Sequence, residues 1–119
     1  MKEYPYFRIF QSCASFDTLR YLIMQLFVFS DNLALGKPAI QSSYFYYALD
    51  VNYPGRAVDG VKNTNRYYCA STGAPFPDPY WRVDLEQVMP VSEVFILNSG
   101  DCCGEHLNGT EIRVGRYSK

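Results

Sequence analysis

Histidine is almost absent from this sequence, which has a single one, His106, among 119 residues. One imidazole leaves little room for a histidine-based zinc site or a serine-type catalytic triad. Positive charge is not in excess, because 11 Lys and Arg are balanced by 12 Asp and Glu, and nucleic-acid binding needs clustered positive charge. The longest apolar stretch, residues 21–29, is far short of the roughly 20 residues that span a bilayer. We therefore expect no nucleic-acid partner, no membrane span and no enzyme.

Aromatic residues, by contrast, are abundant: they make up 17% of the chain and include 11 tyrosines. Acidic disordered tails are poor in aromatics, so the composition argues against such a tail. The length allows one small domain at most. The sequence thus predicts a compact, Tyr-rich and nearly neutral module that binds a partner.

Residues 1–30 differ in pattern from the remainder and are predicted to be a leader. A weakly basic opening precedes the apolar stretch 21–29, and Ser30 follows it, which is typical of a secretory signal and its cleavage site. Two other interpretations stay open, namely non-native upstream sequence and a buried core strand formed by the apolar stretch. We expect residues 31–119 to form the secreted, extracellular part of the protein.

From Asn32 onward, short β-rich runs alternate with clusters of Gly, Pro, Asn and Asp, without a helical apolar period. Trp81, Val83 and Leu85 share one face of an alternating strand. The continuous apolar run 94–97 is expected of a central strand covered on both faces. The strands predicted in this way are 39–44, 80–85, 94–97 and 110–114, the last with Ile112 and Val114 facing inward. They indicate an all-β antiparallel β-sandwich or jelly roll.

These strands are too few for a complete sandwich. About four or five are predicted, whereas such folds have about seven or eight. The chain ends five residues after Val114. We therefore expect the domain to be incomplete at its C-terminal end, with an open edge that favours a homo-oligomer.

The most unusual segment is 100–106, which reads Gly-Asp-Cys-Cys-Gly-Glu-His. Neighbouring Cα atoms lie about 3.8 Å apart, below the usual disulfide range that starts near 4.4 Å, so Cys102 and Cys103 can pair only in a strained ring. Gly100 and Gly104 give the backbone freedom to take up that strain. Spacing leaves two alternatives open: each cysteine pairs elsewhere, or both stay reduced.

A bond between the adjacent cysteines would create a flat, polarizable surface suited to the apolar face of a sugar ring. Asp101, Glu105 and His106 would then be near enough to hydrogen-bond the sugar hydroxyls. Asp101 and Glu105 are the only carboxylates available there, and nothing pairs them across a glycosidic bond as hydrolysis requires.

Two turns carry further ligand chemistry. Asp59 lies in a turn rich in oxygen donors, 57–65, which is the chemistry that Ca²⁺ prefers, although an ordinary Asp-Gly turn is the alternative. Asn108, followed by Gly109 and Thr110, forms an N-glycosylation sequon that has meaning only in a secreted chain, and an unmodified turn is its alternative.

Four blocks of the sequence carry a family resemblance: 32–43, 57–60, 80–85 and 100–115. Together they resemble the F-type lectin family (fucolectins, or the fucolectin/tachylectin/pentraxin domain). The first and third blocks also occur in discoidin-type domains, whereas the Gly-Asp-Cys-Cys-Gly-Glu run is distinctive. The resemblance covers about 32–117 and stops short of the usual end of the family domain.

The resemblance implies a Ca²⁺-containing, secreted jelly-roll lectin that binds terminal fucose or related cell-surface glycans, often in innate immunity. Asp59 matches the family's calcium carboxylate. Cys102 and Cys103 match its vicinal disulfide, which lies in the sugar site. Cys69 resembles a family cysteine whose partner would lie beyond Lys119.

The resemblance also predicts a degraded sugar site. Family members contact the sugar with a histidine and two arginines beside the vicinal disulfide. In this sequence those three positions are Ser71, Ser99 and His106, while Asp101 is kept. We therefore expect altered or weak sugar specificity. A discoidin-type adhesion module for lipid or protein, or a domain fragment without activity, are the alternatives.

Overall fold

The computed structural model of the chain describes residues 6–9, 14–16, 32–75, 77–91 and 93–115. For 6–9 and 14–16, the description extends only to the backbone pairing. The apolar stretch of the predicted leader, 21–29, and its cleavage site at Ser30 lie outside the described residues, as does Cys13.

Short strands joined by turns dominate the described part. They are β1 (Tyr6–Ile9), β2 (Ala14–Phe16), β3 (Ala39–Gln41), β4 (Tyr46–Tyr47), β5 (Asp50–Val51), β6 (Trp81–Asp84), β7 (Ile96–Asn98) and β8 (Ile112–Gly115). The helical segments here are 3₁₀ turns of four residues or fewer: η1 (Pro54–Ala57), η2 (Arg66–Tyr68) and η3 (Gly104–Leu107). None of them has the length and hydropathy of a membrane-crossing helix. The all-β prediction is confirmed.

All strand pairs described are antiparallel. The largest sheet has the order β3-β6-β1-β8, while β2 pairs with β7, and β4 with β5 in a hairpin. In the large sheet, β6 places Trp81 opposite Gln41 of β3, and Val83 opposite Ala39. This sheet, η1 and β7 all contribute residues to the core.

Two strands lie within the predicted leader. β1 pairs with both β6 and β8, and β2 pairs with β7. The folded-strand interpretation concerns the apolar stretch 21–29, which lies outside the described residues, so these pairings do not test it. Cleavage after Ser30 stays a prediction, which N-terminal sequencing of exported protein tests.

The alternating strand β6 provides the centre of the core, as its pattern predicts. Trp81 is 4% exposed, and Val83 and Leu85 are fully buried. The indole Nε1 of Trp81 donates a buried hydrogen bond to the carbonyl of Pro54 at 2.9 Å. That bond ties η1 to the sheet. The other buried apolar members of the core are Ala34, Ala57, Val58 and Ala70.

Two details of the strand predictions are wrong. The run 94–97 is not a central strand, because β7 begins at Ile96, pairs with β2 in a two-stranded sheet and is only half-buried. Phe95 is 45% exposed, so only alternate residues of the run face the core. Ile112 is 44% exposed, whereas Val114 packs against the core as predicted.

Candidate functional site

The predicted pair of adjacent cysteines forms the centre of the candidate site. Cys102 and Cys103 are bonded to each other, with their Cα atoms 3.7 Å apart, and both are half-buried. They belong to the segment 99–104, called here the disulfide loop. The two cysteines are therefore partly accessible from solvent.

The backbone of the disulfide loop is strained at a cysteine. Cys103 has a left-handed conformation, with φ at 64°, which is uncommon for a residue with a side chain. Gly100 serves a different purpose from the one that its flexibility suggests. A Cβ atom at Gly100 would lie 2.6 Å from Oγ1 of Thr64, so the glycine permits close approach of two loops. The Gly100 N–H also donates to the carbonyl of Thr64 at 2.8 Å.

Asp101 is held as an anion at the edge of the disulfide loop. Its Oδ1 accepts hydrogen bonds from the Ser99 hydroxyl at 2.8 Å and from the Arg66 backbone N–H at 3.0 Å. The Ser99 bond is the largest cause that lowers the pKa of the Asp101 carboxyl, and the Arg66 N–H adds to it. Because both bonds go to one oxygen, Oδ2 has capacity to accept from a ligand hydroxyl.

This lowered pKa predicts an acid-sensitive contribution to stability. A folded-state pKa below the ordinary 3.8 stabilises the folded protein above that pH, and the stabilisation is lost as pH falls through the folded value. We expect the Tm of the unmodified chain to fall more steeply between pH 5 and pH 3 (about the range over which a carboxylate protonates) than the Tm of Asp101→Asn. Parallel melting curves for the two proteins would contradict the assignment.

Arg66 is the residue of this site that sequence reasoning missed. Its Nη1 lies 3.7 Å from Sγ of Cys102, and its Nη2 donates to the Tyr47 hydroxyl at 3.0 Å. The guanidinium carbon lies 4.4 Å from the centre of the Tyr47 ring and 5.8 Å from that of Tyr67. Such cation–π geometry orients the guanidinium against the aromatic faces.

A pair of tyrosines supports that arginine. The rings of Tyr47 and Tyr67 meet edge to face, with centres 5.0 Å apart. A hydrogen bond from Tyr67 is the first cause of the lowered pKa of Tyr47, and the positive charge of Arg66 is the second. The same bond is the first cause of the raised pKa of Tyr67.

Two turns position these side chains. Asn65 caps η2, since its Oδ1 accepts from the Tyr67 N–H at 3.0 Å. In the β4–β5 hairpin, Tyr47 is opposite Asp50, whose Oδ2 pairs with Arg56 at 2.7 Å. Arg56 also donates to the carbonyl of Tyr67, so it joins the hairpin to η2.

The remaining predicted sugar residues lie at different distances from the disulfide loop: one is within it, one just after it, and one in a neighbouring loop. Ser99 is 8% exposed, and its hydroxyl is used on Asp101, so it positions the carboxylate. His106 is exposed on η3, just after the disulfide loop. Ser71 is half-buried, and its carbonyl accepts from Gln41 Nε2 at 2.9 Å, a contact that belongs to the neighbouring loop.

The predicted calcium residue, Asp59, lies in an exposed turn. Its Oδ1 accepts from the Val61 N–H at 2.8 Å, and Gly60 has φ at 81°. Calcium takes about six to eight oxygen ligands. No group of three His, Cys, Asp or Glu side chains converges within the described ranges, so Asp59 would need backbone carbonyls as its companions. The turn fits calcium in part, and no step of the binding mechanism below depends on the ion.

Comparison with known proteins defines the class of domain. A family model described as NedA-like, galactose-binding domain (F5/F8 type C) matches residues 56–119. The chain is 37% identical over 89 residues to the fucolectin of Anguilla anguilla, a match that covers 73% of this chain and 56% of that protein. Fucolectin-6 of Anguilla japonica is 32% identical over 109 residues, which cover 89% and 54% of the two chains. No solved structure matches the chain significantly.

A third relative shares a shorter but more similar region. The pentraxin fusion protein of Xenopus laevis is 49% identical over 81 residues, which are 66% of this chain and 18% of that protein. The chain spans about half the length of the fucolectins that it matches. The fold and these matches place the chain among domains of the galactose-binding class. Within that class, it belongs to the F-type lectin family, as the four sequence blocks predict.

Proposed function

We propose that this chain is a non-enzymatic lectin module that binds a neutral terminal monosaccharide of the fucose type. The observation that carries the proposal is the bonded pair Cys102–Cys103, half-exposed beside the carboxylate of Asp101. The names of several relatives, the fucolectins, support a sugar of this class.

The proposed binding mode uses two kinds of contact. The sulfur pair packs against the apolar face of the sugar ring, where dispersion and loss of water both favour contact. Oδ2 of Asp101 accepts a hydrogen bond from a hydroxyl at the ring edge. Ser99 holds Asp101 in place and His106 lies beyond the loop. Because the family's two arginines and histidine are replaced at Ser99, His106 and Ser71, binding should be weak and its specificity altered.

Calorimetric titration of the full chain with methyl glycosides of L-fucose, D-galactose and D-mannose tests this function. We expect at least one to bind, with a Kd of about 1 mM or weaker. A glycan array should show no strong fucose selectivity, and strong selectivity would contradict the predicted degradation. Binding to phospholipid vesicles without any sugar binding would overturn the proposal in favour of a discoidin-type adhesion module.

We also propose that calcium stabilises the module through the turn at Asp59. A ligand that binds only the folded state at about 100 times its Kd adds about 2.7 kcal/mol of stability, so calcium should raise the Tm and EDTA should reverse the rise. Asp59→Asn should abolish the shift. The matched control is Asp84→Asn, because Oδ1 of Asp84 likewise accepts from the N–H two residues on, that of Glu86. Equal calcium shifts in all three proteins would exclude Asp59 as a ligand.

Secretion is part of the same proposal and gives two observable outcomes. Asn108 is exposed at the end of η3 and is followed by Gly109, which has φ at 75°. An exposed turn is accessible to the glycosylation machinery. We expect secreted protein to begin near Asp31 and to lose mass on treatment with an N-glycosidase, and Asn108→Gln should prevent that loss. Secreted protein that retains residues 1–30 would contradict the leader.

A further inference from the structure

Two arginines, Arg56 and Arg66, lie beside the β4–β5 hairpin, and they differ in how fully their guanidinium groups are hydrogen-bonded. The guanidinium of Arg56 contacts three protein acceptors, one of them a carboxylate: Asp50 Oδ2 at 2.7 Å, Asn52 Oδ1 at 3.4 Å and the carbonyl of Tyr67. Arg66 forms no ion pair with a carboxylate of the described residues, and its Nε is buried without an acceptor. A buried donor without an acceptor is uncommon, and here it belongs to a guanidinium at the edge of the sulfur pair. The fold therefore orients the Arg66 guanidinium but leaves part of its hydrogen-bonding capacity unused.

We propose that Arg66 is the basic donor that contacts the sugar in this protein. The inference rests on the proposed lectin function. Its Nη1 lies 3.7 Å from Sγ of Cys102, so a ring packed on the disulfide would bring its edge hydroxyls within reach of the guanidinium. Arginine has five N–H donors in a fixed fork, and Arg66 uses two of them in contacts with the described residues. At the position where the family has its first arginine, Ser99 is instead buried and bonded to Asp101.

The charges around Arg66 define the class of ligand. Asp101 accepts from the Arg66 backbone N–H at 3.0 Å and is held as an anion. A carboxylate in the same site disfavours a sulfated or carboxylated sugar, because it would repel the second negative charge. A neutral sugar with adjacent hydroxyls satisfies both groups, since each hydroxyl donates to the carboxylate or accepts from the guanidinium. Arg66 thus selects neutral diol-bearing sugars.

The surroundings of Arg66 also predict a flat pH profile. The titratable groups that face it are Tyr47, Tyr67 and Asp101, from β4, η2 and the disulfide loop. A guanidinium keeps its charge at every pH at which proteins are folded, and tyrosine and aspartate do not normally change charge between pH 5 and 8. An imidazole donor would lose its charge in that interval. Sugar affinity should therefore stay constant between these pH values.

The test is calorimetric titration of the full chain with the best-binding neutral methyl glycoside, and with its sulfated form. Arg66→Gln should weaken neutral-sugar binding by about 10- to 100-fold, while Arg66→Lys, which retains the charge without the fork, should lose less. The control is Lys37→Gln, which removes the same charge from an ion pair with Glu86 and should bind like the unmodified chain. Melting curves of each variant separate a lost contact from a lost fold.

The outcomes separate this inference from the function on which it rests. If the unmodified chain binds sugar and both Arg66 variants bind equally well, the lectin function stands and the role of Arg66 is overturned. Affinity of the unmodified chain that falls severalfold between pH 5 and 8 would also overturn it, and this measurement needs no variant to fold. Preference for the sulfated glycoside would refute the selection of neutral sugars. If the unmodified chain binds no sugar, both proposals fail.

Discussion

Replacing both Cys102 and Cys103 with alanine should remove detectable monosaccharide binding while the protein stays folded. A monosaccharide packed on the sulfur pair buries on the order of 80 Å² of apolar surface, worth about 2 kcal/mol. A Kd of 1 mM corresponds to only about 4.1 kcal/mol, so this loss takes roughly half of the binding free energy and weakens binding about 30-fold. Calorimetric titration of the variant beside the unmodified chain measures the effect.

The free energy of unfolding should change by about half as much as the binding free energy. A disulfide stabilises a protein mainly by shortening the unfolded chain's loops, and the loop between adjacent residues is the smallest available. The chain-entropy relation gives about 1 kcal/mol for it, or a Tm decrease of roughly 4–8 °C in a domain of this size. Mild reduction of the unmodified protein should reproduce both effects and be reversed by reoxidation.

Mass spectrometry of non-reduced, exported protein provides the decisive control for this bond. A peptide that carries both cysteines should be lighter by two hydrogens than its reduced form. Two free thiols, or bonds from Cys102 and Cys103 to separate partners, would remove the physical basis of the sugar platform. Membership of the F-type lectin family would be unaffected by that result.

The core strand could be predicted from the sequence because its signal is local. Trp81, Val83 and Leu85 alternate within five residues, and burial on one side of a sheet follows from that period. The run 94–97 carried no such period, and its apolar character alone did not reveal that Phe95 faces solvent. Length and composition of a run do not determine which side of it is covered.

The basic donor of the site could not be predicted in this way. Arg66 meets Cys102 across 36 residues and Tyr47 across 19, and no motif spans either interval. The resemblance places Ser99 at a sugar-contacting position of the family, and the structure shows its hydroxyl donating to Asp101. Side-chain direction in a loop depends on the path of the backbone, which local sequence does not determine. Only the assembled loops show that an arginine from elsewhere stands beside the disulfide.

The role of Gly100 likewise could not be predicted from the local sequence. Its position beside the cysteines suggests conformational freedom, and a strained ring would need such freedom. In the structure the left-handed residue is Cys103, whereas Gly100 makes room for Thr64. Contact between two distant loops, rather than local strain, is therefore what a side chain at this glycine would disturb.

Trp81 is the position at which a substitution should cost the most stability. The side chain is 4% exposed at the centre of the core, and its Nε1 donates to the Pro54 carbonyl at 2.9 Å. Trp81→Ala should lower the free energy of unfolding by about 3–5 kcal/mol, because it leaves a cavity and an unsatisfied carbonyl. That is a large fraction of the 5–15 kcal/mol that stabilises a typical domain, so this variant should be partly unfolded at 37 °C. Urea titration followed by circular dichroism measures the change.

Trp81→Phe separates the hydrogen bond from the packing. It retains most of the ring but leaves the Pro54 carbonyl without its donor, so we expect a loss of about 1–3 kcal/mol. Pro54 begins η1, which also contains Arg56, the residue that joins the β4–β5 hairpin to Tyr67. If the lost hydrogen bond does not displace η1 and, through Arg56, Tyr67, the folded fraction of Trp81→Phe should bind sugar with unchanged affinity. Weakened binding at full folding would instead show that the Trp81–Pro54 bond helps to hold the aromatic support of Arg66 in place.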